Sequence, residues 1–413
     1  RTLYANIDIE AYLKAAGADG FHSWVVNDPG QAKKINSYLT EDHLPLLKEY
    51  SVFCLIKDFS PFLTPEIRDS TIAWNNTQKG VQGKKTDKKL AAELVQNTFG
   101  FEFGRLYTEK YFSEEDKKAV ETLVHQILSA YKERINGLEW MGETTKEKAI
   151  RKLDHMTLKI GYPDNWPDYY ENAVILPEGR GSLIDNMVTV YRSLRSFEKE
   201  EIKKPVDRGQ WGMTPQTVNA YYNPLNNEIV FPAAILQPPF YDPEAGRAAN
   251  LGGIGMVIAH EISHAFDSSG SCYDENGNYN MWWTEEDLKK FQELTLRVTE
   301  YYNDQEAVKG RYVNGQQTLN ENIADLGALA CVTSIAGDDT EALDSLFRQY
   351  ARIWASKYTE ESMIHRLNTD VHSPAKVRVN AVLSSTEAFY KVYPDLKEGD
   401  GMYVAPEKRV KIW

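Results

Sequence analysis

From Val120 to Ile135 the apolar side chains Val120, Leu123, Val124, Ile127, Leu128, Tyr131 and Ile135 return every three or four positions. That spacing puts them on one face of a helix. Ser113 followed by Glu114, Glu115 and Asp116 supplies its start, with a capping hydroxyl and acid in the first turn. The same period runs through Thr86–Leu94 and Thr144–Leu158, so the stretch from about Ile7 to Ile160 reads as helical. Lys79–Lys85 interrupts it as a polar, solvated loop. Breakers then gather at Gly161–Pro167 and again at Pro177–Ser182. From about Asn186 the pattern changes. Thr217–Tyr222 is rich in β-branched and aromatic residues and stops at Asn223-Pro224, which predicts a short edge strand. Strands are expected over about 217–236, with two buried helices beyond them. Trp282-Trp283 reads as core packing. No internal repeat is present. The expectation is a mainly α fold with a smaller β component, divided into 1–165, a linker over 166–185, and 186–413.

One of the buried helices carries chemistry. His260-Glu261-Ile262-Ser263-His264 places two imidazoles one turn apart, within reach of one metal ion. The glutamate after the first histidine can meet a water from the side and take its proton. Ile254, Met256, Val257, Ile258, Ala259, Ile262, Ala265 and Phe266 make the helix apolar on nearly every side, and a buried helix does not carry His, Glu and His without partners. A third ligand is needed. The pattern HExxHxxGxxH fails, because Asp267 and Gly270 stand at its glycine and third-histidine positions. The remaining route is a glutamate on a second helix, and Glu321 in Thr318–Ala330 is the candidate. Thr318-x-x-Glu321 also matches a capping box, the competing use for that carboxylate. Asp325 shares the face of Glu321 and can accept the outer N–H of one ligand imidazole, and Asp267 can serve the other.

Composition narrows the classes. Hydrophobic residues make up 42% of the 413, enough for sizeable cores, and the net charge of −13 argues against nucleic acid. No apolar run is long enough to span a membrane. Cys54, Cys272 and Cys331 form no disulfide framework.

Five segments together resemble the neprilysin and endothelin-converting-enzyme family of zinc metallopeptidases, which includes bacterial oligopeptidases. They are Asn219–Tyr222, Ile229–Phe240, the HEISH helix, Glu321–Asp325, and His372-Ser373-Pro374 with Arg378. Weaker matches run through Gly104–Tyr107, Gly161–Pro163 and the closing Pro406-Glu407-Lys408 and Trp413. The resemblance implies a helical lid lobe and a thermolysin-like zincin catalytic lobe. It implies one Zn²⁺ per chain, bound by His260, His264 and Glu321, with Glu261 as the base. By the same resemblance Asn219 and Ala220 pair with the substrate backbone, His372 stabilises the oxyanion, and Arg378 holds a substrate carbonyl. Asp370, two residues before His372, is placed to orient it. Short peptides are the implied substrates, cut on the amino side of large apolar residues.

Nothing near the HEISH helix offers the acidic anchor an aminopeptidase needs. The other outcome left open is an inactive or partner-dependent zinc- or peptide-binding fragment. Val410 stands where secreted animal members carry a cysteine, which points to a bacterial member, in the periplasm, cell envelope or medium, with the cytoplasm left open. Arg1–Asn6 is no signal peptide. The chain reads as the C-terminal two-thirds of such a protein. Its helical lobe is then expected to be incomplete, with an apolar face lacking its cover and its own N-terminal segment as a partner.

Overall fold

The computed structural model describes every residue except Arg1, Thr2, Asp19, His22 and Asn27. The opening dipeptide Arg1-Thr2 thus lies outside the described residues. Helices dominate and strands are few, as the periodicity predicts. The chain forms two compact units, residues 1–77 with 167–208 and residues 78–166 with 209–413. Each unit draws on both sides of the breaks around Gly161–Ser182.

The first unit is helical. Asp28 caps Pro29–Tyr38 by accepting from Gln31 N, and Ser182 and Asp185 form a reciprocal capping box at the head of Leu183–Glu201. The rings of Phe59, Phe62 and Tyr191 pack together at centroid distances of 5.7–6.3 Å. Helix Leu44–Phe59 buries none of its residues, and Leu46, Tyr50, Val52, Phe53 and Leu55 are all exposed along it.

The second unit holds the main core. Helix Glu114–Asn136 starts at the Ser113–Asp116 capping box and buries Val120, Val124, Ile127, Leu128, Tyr131 and Ile135, the face the period predicts. It packs against Met256–Ser263, the HEISH helix, and against Leu319–Ala336, the Glu321 helix. Trp282 and Trp283 are buried, as expected.

The helix expected over Thr144–Leu158 is shorter. It runs Glu143–Asp154, and Thr157–Gly161 becomes strand β1. Partners explain the switch. β1 pairs in parallel with β3 (Glu228–Pro232), which also pairs antiparallel with β2 (Tyr221–Asn223). The order β1-β3-β2 leaves β2 at an edge, and of the edge strand expected over Thr217–Tyr222 only Tyr221 and Tyr222 are strand, with Asn223 added. A buried ion pair, Lys159 Nζ to Glu228 at 2.7 Å, joins β1 to β3, and Asn223 Nδ2 donates to the same glutamate.

Candidate active site

The two site helices lie side by side, and their small residues allow this. Gly327 is one: a Cβ there would sit 2.4 Å from Trp413 Cδ1 and 2.6 Å from Ser263 Oγ. Trp413 fills the space behind both helices, and its Nε1 donates to Ser263 Oγ at 2.9 Å. Tyr131 OH donates to Ala259 O at 2.8 Å and ties the HEISH helix to Glu114–Asn136.

This packing brings His260, His264 and Glu321 together, with their ligand atoms all within 4.8 Å of one another. His260 Nδ1 faces Asp325 Oδ1 at 2.8 Å, and His264 Nδ1 faces Asp267 Oδ2 at 2.7 Å. Each Nδ1 therefore carries the proton, and each Nε2 presents a lone pair. Those two Nε2 atoms stand 3.0 Å apart. Glu321 Oε2 lies 3.2 Å from one and 3.7 Å from the other. It is buried and has no hydrogen-bond partner among the described residues. Three lone-pair donors converging in this way repel unless a positive charge sits among them. Donor atoms around a tetrahedral zinc lie about 3.3 Å apart, and two imidazoles with one carboxylate are a known zinc set, so the residues fit that ion. In the metal-free protein, protons meet the demand. Burial lowers His260, but Asp325 and Glu321 more than reverse this and raise it to about 10. Thr318 makes no side-chain cap to the Glu321 helix, so the capping-box use of Glu321 is not realised.

Glu261 is buried in the same cleft. Burial pushes its carboxyl up, with His260 and His264 pulling the other way. Asp325 does more than the sequence indicates. Arg378 grips it with Nε and Nη2, both at 2.7 Å, and the guanidinium lies 4.0 Å from the Trp354 ring centroid. Burial alone would raise Asp325, but Arg378 and His260 hold it at about 2. Asp370 does meet His372: Oδ1 lies 2.8 Å from Nδ1, and Arg366 Nη2 lies 2.5 Å from Oδ2. His372 Nε2 comes within 3.2 Å of Glu321 Oε2. Asn219 and Ala220 lie just before β2 and line the cleft with His260, Glu261, Glu321, His372 and Arg378. The cavity measures about 520 Å³, within the usual range for ligand sites.

Ten of the eleven residues singled out from the sequence thus line one cleft, and the eleventh, Asp370, sits against His372. The supports were missed: Tyr131, Trp354, Arg366, Trp413 and Lys152. Only Lys152 left a local signal, a lysine three residues after Ala149 on the apolar face of its helix.

A helical fold in which an HExxH helix meets a glutamate from a second helix has a zincin-like arrangement. Two models described as peptidase family M13 match residues 1–163 and 219–410, and the chain belongs to that family. The neutral endopeptidase of Lactobacillus helveticus is 35% identical over 99% of this chain and 63% of its own length. That of Lactococcus lactis subsp. lactis IL1403 is 36% identical, over 99% and 64%. The chain therefore spans a little under two thirds of these curated relatives. Among solved structures, the Mycobacterium tuberculosis zinc metalloprotease Zmp1 in complex with an inhibitor superposes with a TM-score of 0.91 at 36% identity, covering 100% of this chain and 64% of that one. PepO from Lactobacillus rhamnosis HN001 gives 0.88 at 32%, over 100% and 67%. No helix among the described residues is long and apolar enough to cross a membrane, and the three cysteines are free.

Proposed function

We propose that this chain carries the active site of a zinc-dependent endopeptidase or oligopeptidase that cleaves short peptides. The observation that supports it most is the convergence of two imidazole lone pairs and the Glu321 carboxylate beside a buried Glu261. Zinc bound by His260, His264 and Glu321 would polarise the scissile carbonyl and lower the pKa of a water toward about 7. Glu261 takes the proton of the attacking water and passes it to the leaving amine, a role suited to a carboxyl raised by burial. His372, held by Asp370, donates to the oxyanion. Arg378 reaches a substrate carbonyl with Nη1, the nitrogen its pair with Asp325 does not use. Asn219 and Ala220, leading into the edge strand, pair with the extended peptide backbone.

Phe240, Met256, Val257, Ile353 and Trp354 give the cleft an apolar part of its lining, which supports a preference for a large apolar side chain just after the cut. A periplasmic, cell-envelope or secreted setting is part of the same proposal, and fractionation of the source cells would check it.

The test combines zinc content with hydrolysis of a short, N-terminally blocked, internally quenched peptide. Wild-type protein should bind one zinc and cleave the peptide. Glu261→Gln should keep the zinc and lose nearly all turnover, because an amide cannot accept the proton. Zinc-loaded wild type that cleaves no member of a blocked-peptide panel would leave the chain a binding module. Glu261→Gln activity within tenfold of wild type would sink the role of the base.

A further inference from the structure

Lys152 is 1% exposed. It sits on the buried face of Glu143–Asp154, beside Ala149 and Leu153. An ammonium has three donors and no acceptor. Its hydrogen bonds go to three main-chain carbonyls, Ala265 O at 2.9 Å, Gly270 O at 2.7 Å and Tyr273 O at 2.6 Å. The rings of Tyr222 and Trp282 flank it, with centroids at 5.7 and 5.9 Å. Among the described residues no carboxylate forms an ion pair with it. Burying a charge with no carboxylate in contact is costly, since Asp267, Asp274 and Glu275 act on it only from farther off, and an apolar side chain of similar length would fill the volume at lower cost. Packing alone does not explain a lysine here.

The three carbonyls belong to one turn, residues 265–273, directly after His264. That turn carries Asp267, whose Oδ1 accepts from Ser269 N and Gly270 N while Oδ2 faces His264 Nδ1. Gly270 is therefore held on both sides, its N–H by Asp267 and its carbonyl by Lys152. A Cβ on Gly270 would fall 1.9 Å from His264 O, so the turn passes directly beneath the end of the HEISH helix. A cation there also suits the negative end of that helix dipole. Lys152 reaches the substrate side as well. Its own carbonyl accepts from Asn227 Nδ2 at 2.9 Å, in the turn between β2 and β3.

We propose that Lys152 is a positioning residue for the metal site: through the carbonyls of Ala265, Gly270 and Tyr273 it sets the turn that holds Asp267 against His264. The proposal rests on the reading of His264 as a metal ligand. Lys152→Met keeps the volume and removes the charge and the donors. Thr145→Val is the control, because it weakens the same helix at its bond to Asp287, away from the turn.

Chelator competition should show zinc affinity lowered about 10–100-fold in Lys152→Met. In the metal-free protein the amides of Ser269 and Gly270 should exchange faster. Turnover should fall in kcat, with KM within about threefold of wild type. Thr145→Val should keep wild-type affinity even at a similar loss of Tm. Since Lys152 acts through Asp267, Lys152→Met and Asp267→Asn should combine to less than the sum of their effects on affinity. If Lys152→Met does not fold, Lys152→Gln carries the same measurements with a milder expected loss. Wild-type zinc affinity in the substituted protein, or full additivity with Asp267→Asn, overturns the proposal. Wild-type protein that binds no zinc would overturn the metal-site reading itself.

Discussion

Replacing Asp325 with Asn should damage the metal-free protein and the metal site by separable amounts. Asp325 is 2% exposed and Arg378 is 5% exposed. The carboxylate takes two bonds from the guanidinium, at 2.7 Å each, and one from His260 Nδ1 at 2.8 Å. An amide keeps the shape but drops the charge, and it can accept at only one oxygen. Arg378 then stays buried without its counter-charge, and breaking a buried pair from one side costs about 3–5 kcal/mol. At about 1.4 kcal/mol per decade, that is two to three and a half decades in the folding equilibrium. Urea unfolding of the metal-free protein, followed by tryptophan fluorescence, measures it, with Trp354 against the guanidinium as a local reporter. The double substitution Asp325→Leu with Arg378→Met removes both charges and should recover most of that stability. It should not recover zinc affinity, because His260 Nδ1 still lacks its acceptor, a loss of about 10–100-fold. Metal-free Asp325→Asn within about 1 kcal/mol of wild type would refute the reasoning. So would a double variant no more stable than the single one.

Two further outcomes follow from the site. His260 sits at about 10 without metal, so it is protonated at pH 8 and must release that proton to ligate; zinc affinity should therefore rise from pH 7 to 9 with measurable proton release, and a flat affinity over that range would count against His260 as a ligand. His372→Ala should lower kcat about 10²–10³-fold with little change in KM, whereas Asp370→Asn, which leaves the imidazole in place, should lower kcat less. A pure KM effect of His372→Ala would mean that this residue only binds substrate.

The chemistry was legible wherever it is local. Two histidines four residues apart share a helix face whatever surrounds them, and so do Glu321 and Asp325. The apolar period of Val120–Ile135 named the buried face of its helix for the same reason. Long-range placement was not legible in this way. Thr157 and Leu158 continued a helical pattern in the sequence but open strand β1, because β3, some seventy residues on, offered a parallel partner. Asp325 was readable as an acceptor for an imidazole, but its bidentate grip by Arg378, 53 residues away, arises from how Ala375–Ser384 packs. Lys152 and Trp413 are the extreme cases. One meets its carbonyl partners more than a hundred residues later, and the other meets Ser263 at a separation of 150. Sequence spacing encodes the geometry within an element; which elements meet is settled by burying all their apolar faces at once, and the supports of this site exist only at those meetings.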